Sequence, residues 1–162
     1  ILERYSHMCV MKSISKSYGV PGLRLGILCS ADIALIASIK KQVSIWNINS
    51  FAEFFMQIYP KYREDYKHAC DQFIQAREDF EVELRKIPFI RVMPSQANYF
   101  FLEVLPPYKP KELCAILLKE YNILASACLA KKGIEPNKYM RIAVRNHGDN
   151  AKFIDAMRKL IK

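Results

Sequence analysis

Apolar residues recur along this chain at helical spacing in one long stretch and as short runs elsewhere. Between Tyr62 and Ile87 they stand at Tyr62, Tyr66, Ala69, Phe73, Ala76, Phe80, Leu84 and Ile87. Steps of three and four residues line one face of a long helix, with Arg63, Glu64, Asp65, Lys67, Asp71, Arg77 and Glu78 on its wet face. Pro60 marks a break before this helix and Pro88 ends it. Upstream, Met8-Cys9-Val10-Met11 predicts a buried strand, and a second strand is expected over 24–29. Ser30 and Asp32 are candidate caps for a helix over 31–43, and Ser50 for one over 51–59. Trp46, the single tryptophan, is expected to be a packing anchor.

Beyond Pro88 the elements shorten. Strands are expected over 89–92 and 98–104, then a helix over 110–121 opened by Pro110 and stopped by Asn122 in a left-handed conformation. Strands over 123–127 and 139–145 follow, separated by a turn at Lys131-Lys132-Gly133. A last helix places Ile154, Met157 and Ile161 inward. The order strand, strand, helix, strand, strand, helix is an α+β arrangement, a small sheet covered on one face.

Composition narrows the class. Hydrophobic residues make up 51% and charged residues 25%, which fits a folded globular chain rather than a disordered one. No apolar run of about 18 residues occurs, so no membrane span is expected. The opening Ile1-Leu2-Glu3-Arg4 reads neither as a secretory leader nor as an initiating segment, so the expectation is an internal piece of a longer protein. Five cysteines without metal or redox spacing point to a reducing cytoplasm, with Cys9, Cys29 and Cys114 as buried thiols. The net charge of +9 is scattered, with Lys40-Lys41 and Lys131-Lys132 as its densest points. Without zinc spacing or an aromatic RNA-binding signature, nucleic acid is not an expected partner.

Chemistry concentrates in Ser13-Ile14-Ser15-Lys16-Ser17-Tyr18-Gly19-Val20-Pro21-Gly22-Leu23-Arg24-Leu25-Gly26. Ser13 and Ser15 offer hydroxyls, and Arg24 offers a planar fork suited to phosphate oxygens. Gly19, Gly22 and Gly26 allow tight turns and close backbone approach. Lys16, in the turn after a strand and partly desolvated near other cations, is a candidate amine nucleophile. A phosphate held beside a Schiff-base lysine points to pyridoxal 5'-phosphate. The plainer alternative is an ordinary loop with a solvated lysine.

This stretch resembles the lysine signature of the class I/II aminotransferases. The serine three before the lysine, the serine just before it, the arginine eight after it and the closing glycine all match. The resemblance implies the C-terminal portion of the pyridoxal-phosphate transferase fold type I, an α/β fold with an α+β small domain, the N-terminal portion being absent. It assigns 1–59 to the remnant of the large cofactor-binding domain and 60–162 to the small domain. Lys16 is then the Schiff-base lysine and proton carrier, and Ser13, Arg24 and, more weakly, Ser15 hold the cofactor phosphate.

Ser95-Gln96-Ala97-Asn98-Tyr99 resembles the family's segment opening a small-domain strand, and 140–145 followed by Asn150 its last strand and helix. There Arg141 matches the arginine that binds the substrate's anionic group. The Trp46-Asn47-Ile48-Asn49 segment and the 141–145 strand are most similar to threonine-phosphate decarboxylases and histidinol-phosphate aminotransferases. Those relatives carry an arginine in the strand matched by Ile123-Leu124-Ala125-Ser126, where this chain has none. Either the substrate is then an amino acid without a phosphate, or a second phosphate contact falls to Arg145 or Lys131.

The resemblance implies a cytoplasmic homodimer when full length, with small-molecule amino donors and acceptors. The ring-stacking aromatic residue and the aspartate paired with the pyridine nitrogen are not found, so the isolated chain is expected to be inactive. Three readings follow: an aminotransferase of the histidinol-phosphate type, a threonine-phosphate-type decarboxylase, or a non-catalytic basic interaction module.

Overall fold

The computed structural model describes residues 1–129 and 133–161. It divides into two compact units, Ile1–Lys67 and His68–Lys162.

In the first unit, strands β1 (Cys9–Ser13) and β2 (Gly26–Ser30) pair antiparallel, from Cys9 opposite Ser30 to Ser13 opposite Gly26. Between them lie a single helical turn, α1 (Ile14–Ser17), and a 3-10 turn at Pro21–Leu23. Helix α2 (Ile33–Gln42) starts where the Asp32 carboxylate accepts the Leu35 N–H at 2.8 Å. Helix α3 (Ser50–Ile58) is capped by Asn49, whose side chain accepts the Ala52 N–H at 3.0 Å. Ser50, the expected cap, is instead its first residue. Asn49 takes the role because its amide also donates to the Leu23 carbonyl at 2.9 Å, which fixes the side chain at the helix entrance.

The core of this unit is small: Ile14, Leu25 and Ala52, with Tyr18, Val20, Leu23 and Phe55 packed around them. Several expectations of burial fail here. β1 is exposed along its whole length, Cys9 and Cys29 are exposed, and Trp46 is 89% exposed. A two-stranded ribbon has no further strands to share its faces, so side chains that read as core stay uncovered.

Helix α4 (Arg63–Leu84) runs across the division and buries Ala76, Phe80 and Leu84, while Tyr62 is exposed. The second unit then builds an antiparallel sheet from β3 (Ile90–Val92), β4 (Tyr99–Val104), β5 (Ser126–Cys128) and β6 (Tyr139–Ala143), in the order β3-β4-β6-β5. Phe100 faces Ile142, Leu102 faces Met140 and Val92 faces Leu102, so one face of the sheet is continuous apolar core. Helices α5 (Pro110–Tyr121) and α6 (His147–Lys159) contribute Leu113, Leu117, Phe153, Ile154 and Met157 to that core. Asn122 does stop α5 in the left-handed region, at φ 54°. Ile161 lies past α6 and is exposed rather than inward.

The strand expected over 123–127 begins only at Ser126. The Ile123 N–H is engaged by the Leu117 carbonyl at 2.9 Å, closing the end of α5 and delaying the ladder. Cys114 is half-buried rather than core, and among the five thiols Cys128 is the buried one. The Lys131-Lys132 part of the expected turn lies outside the described residues. No helix among the described residues is long and apolar enough to cross a membrane.

Candidate functional site

The lysine stretch is held by the β1–β2 pair. Ser13 closes β1 opposite Gly26, and the next N–H, of Ile14, donates to the Leu25 carbonyl at 3.0 Å. One helical turn is unstable in isolation, and α1 is secured from outside. Ile14 is buried in the small core. The Val20 N–H donates to the Ser15 carbonyl at 3.1 Å, and the Tyr66 hydroxyl donates to the Ser17 carbonyl at 3.1 Å. Tyr18 stacks on Tyr66 at 4.4 Å and meets Tyr59 edge-on at 5.0 Å. Three hydrogen bonds therefore fix the backbone on both sides of Lys16, and the burial of Ile14 and the ring contacts of Tyr18 support them.

Ser13, Lys16 and Arg24 are exposed, whereas Ser15 is buried at 4%. Lys16 makes no ion pair with any described residue, and the desolvation expected around it is not provided by this unit. Arg24 caps the 3-10 turn at φ 51°, a left-handed conformation costly for a side chain with a β-carbon. Its Nη1 donates to the Pro21 carbonyl at 3.1 Å, and the rest of the fork has no hydrogen-bond partner among the described residues. Of the three glycines in the stretch, only Gly19 has positive φ, at 67°. At Gly26 a β-carbon would sit 3.5 Å from the Lys12 carbonyl oxygen, an ordinary contact, so close approach does not demand glycine there.

The donor set suits an anion beside an amine. A hydroxyl, a guanidinium and a primary amine are exposed on one fourteen-residue stretch, Ser13 to Gly26, that contains no carboxylate. Pyridoxal 5'-phosphate asks for those groups, so the residues present fit it. An apolar cavity of about 370 Å³ lies beside α1, lined by Ile14, Tyr18, Leu25, Ile48, Phe55 and Tyr59 among others. None of Ser13, Ser15, Lys16 or Arg24 lines it.

Arg141 belongs to the second unit, in the middle of β6. It stands opposite Phe101 of β4 and Ser126 of β5, on the face away from the apolar core. Its guanidinium lies over the Tyr99 ring, 5.1 Å from the centroid. The other cations of this region are paired. Arg91 and Lys138 share Glu103, with Lys138 Nζ 3.2 Å from one carboxylate oxygen, and Arg145 Nε donates to Asp149 at 2.7 Å. Arg145 is thus engaged by its own turn rather than poised as a second phosphate contact, and Lys131 lies outside the described residues.

Burial by itself would raise the Glu103 carboxyl. The Lys138 hydrogen bond and the Arg91 charge outweigh it and hold the group below its ordinary range. Arg91 meets Glu103 as a charge contact rather than an aligned hydrogen bond. The sequence singles out Arg141, but neither the ring of Tyr99 beneath it nor the Glu103 cluster. Alternation puts Tyr99, Phe101 and Glu103 on one face of β4, a readable signal. Which residues of β3, β5 and β6 stand beside them depends on register, which one sequence does not carry.

The family model described as aminotransferase class I and II matches residues 1–159 of this chain. The CMP-5'-(3-aminopropyl)phosphonate synthase of Streptomyces rubellomurinus is 32% identical over 160 residues, covering 99% of this chain and 26% of that protein. The L-serine phosphate decarboxylase of Sulfurospirillum multivorans is 30% identical over 166 residues, covering all of this chain and 41% of that protein. The crystal structure of the histidinol-phosphate aminotransferase from Clostridium acetobutylicum superposes with a TM-score of 0.88 at 28% identity, covering 98% of this chain and 47% of that one. The chain therefore spans between about a quarter and half the length of these proteins.

Proposed function

The chain belongs to the class I and II aminotransferases, a family dependent on pyridoxal 5'-phosphate, and from that premise we propose that the whole protein acts on the amino group of a small amino acid bearing a phosphate. The observation that carries this reading is the exposed, carboxylate-free set Ser13, Lys16 and Arg24 on a backbone pinned from both sides. When bound, the cofactor supplies an electron sink for the substrate carbon. Lys16 is the residue for its attachment and for holding a proton at the substrate carbon. The Ser13 hydroxyl and the Arg24 fork hold the cofactor phosphate, and Ser15, being buried, contributes less. Arg141 presents its donors to a carboxylate or phosphate of the substrate.

Decarboxylation of an O-phospho amino acid is the reaction we favour, on the strength of the Sulfurospirillum relative. Amino-group transfer is the second reading, supported by the family and by the Clostridium structure. Both need the same lysine. Full-length protein incubated with pyridoxal 5'-phosphate and then borohydride should carry one cofactor on the Lys16 peptide. Lys16→Ala should lose the label and all turnover of O-phospho-L-threonine and O-phospho-L-serine. Carbon dioxide release against amino transfer to 2-oxoglutarate separates the two reactions. A label on another lysine, or turnover retained by Lys16→Ala, would falsify the assignment. No label at all would favour a non-catalytic module.

A further inference from the structure

Among the arginines of the second-unit sheet and the turn that follows it, Arg141 is the one that meets no carboxylate among the described residues. Arg91 meets Glu103 and Arg145 meets Asp149, while Arg141 has only the ring of Tyr99 beneath it. Tyr99 opens β4 at 37% exposure, opposite Ala143 in the ladder and two pairs along from the Phe101–Arg141 pair, on the same face. Ala143 leaves the ring uncovered, so it can lie along the sheet toward Arg141. Ser126, directly across from Arg141, is too short to compete for the guanidinium.

A guanidinium stacked on an aromatic face is held by its plane, while its N–H donors point outward around the edge. A carboxylate in the same place would occupy the fork and cancel the charge. An aromatic floor does neither. It restricts the rotamers of a long side chain before the ligand arrives, which lowers the ordering cost of binding.

We propose that Tyr99 is a positioning residue that holds the Arg141 guanidinium over its ring and leaves its donors open for the substrate's anionic group. The inference rests on the reading of Arg141 given above and adds to it the device that makes Arg141 available. It also assigns a role to the aromatic position of Ser95-Gln96-Ala97-Asn98-Tyr99. The Tyr99 carbonyl already serves the fold by accepting from the Ser95 hydroxyl at 2.7 Å, but that bond belongs to the backbone and survives any side-chain change.

The test is a cycle on full-length protein with O-phospho-L-threonine as the probe. It reads KM and kcat, and also the calorimetric Kd on cofactor-free protein. Tyr99→Leu and Tyr99→Gln remove the ring, and two variants guard against one folding poorly. Each should raise KM and Kd about three- to thirtyfold with kcat little changed, the range expected for losing a cation–π contact. Tyr99→Phe, which keeps the face, should restore both to within about twofold. In an Arg141→Met background, Tyr99→Leu should add almost nothing, because its effect passes through the arginine. An equal effect of Tyr99→Leu in both backgrounds overturns the proposal, as does an unchanged KM in both ring-less variants while Arg141→Met raises it. If Arg141→Met itself leaves KM and Kd unmoved, the substrate-binding role of Arg141 fails and takes this inference with it.

Discussion

At the scale of single residues, the turn after β6 depends on Asn150. The side chain is 6% exposed and grips one residue twice, its Oδ1 accepting the Arg145 N–H and its Nδ2 donating to the Arg145 carbonyl, both at 2.9 Å. A truncation there leaves a partly buried backbone donor and acceptor without partners, a cost of about 1–3 kcal/mol. Asn150→Ala should lose that amount in urea unfolding of the second unit. Asn150→Asp, which keeps the acceptor and loses the donor, should lose less; equal stability of all three proteins would assign the turn to Asn146 and its cap on Asp149 instead. Lys16 between serines and Arg141 in a strand of small and apolar residues stand out in the sequence, and both are exposed, Lys16 in α1 and Arg141 in β6. Trp46 and Cys9 were misread because residue type predicts burial only when the chain supplies something to be buried against.

Among elements, the open face of the small sheet is organised by charge. Glu103 is central, with Arg91 on β3 opposite it and Lys138 just before β6. Its folded pKa lies below the ordinary 4.5, so in that range the unfolded chain binds more protons than the folded one. The stabilisation is therefore present above about 4.5 and is lost as pH falls through the folded value. Lys138, raised by its hydrogen bonds to Glu135 and then Glu103, behaves oppositely: its contribution is present below 10.5 and is lost as pH rises through the folded value. Melting temperature measured from pH 6 to pH 3 should fall more steeply for the native sequence than for Glu103→Gln. Parallel curves would show the cluster contributes nothing. The strands over 89–92, 98–104 and 139–145 were readable as short segments between turns, and Pro110 and Asn122 bounded α5 correctly. β5 was displaced because the end of α5 engages Ile123, a local consequence of the left-handed stop that a period count does not register.

For the whole molecule the two units are unequal. The second has an apolar core of fully buried side chains, including Leu84, Ile87, Phe100, Leu102, Leu113, Leu117, Met140 and Met157. The first has three buried apolar residues and most of the chain's exposed large ones, among them Met11, Ile33, Ile45, Trp46 and Phe51. Burial of apolar area is what opposes chain entropy, at about 25 cal/mol per Å², so the second unit has the means to fold alone and the first has little. The order of elements implied an α+β second part and the resemblance a boundary at 59/60, whereas the compact units divide between Lys67 and His68; neither implied that the first part's apolar runs would stand uncovered. That depends on how much chain surrounds them, and this chain spans at most about half of the relatives described. Native-state hydrogen exchange on the 162-residue chain should separate the units. Amides of β3, β4, β6, α5 and α6 should exchange only through a common, cooperative opening, whereas those of β1, β2 and α2 should exchange near free-chain rates. Trp46 fluorescence should match free indole before and after denaturant unfolds the sheet. Equal protection in both units, with Trp46 emission shifted to the blue, would show that the chain covers its own first unit, by self-association or by a packing that its exposed apolar surface does not display; dilution below the association range distinguishes those two, since only the former loses protection with concentration.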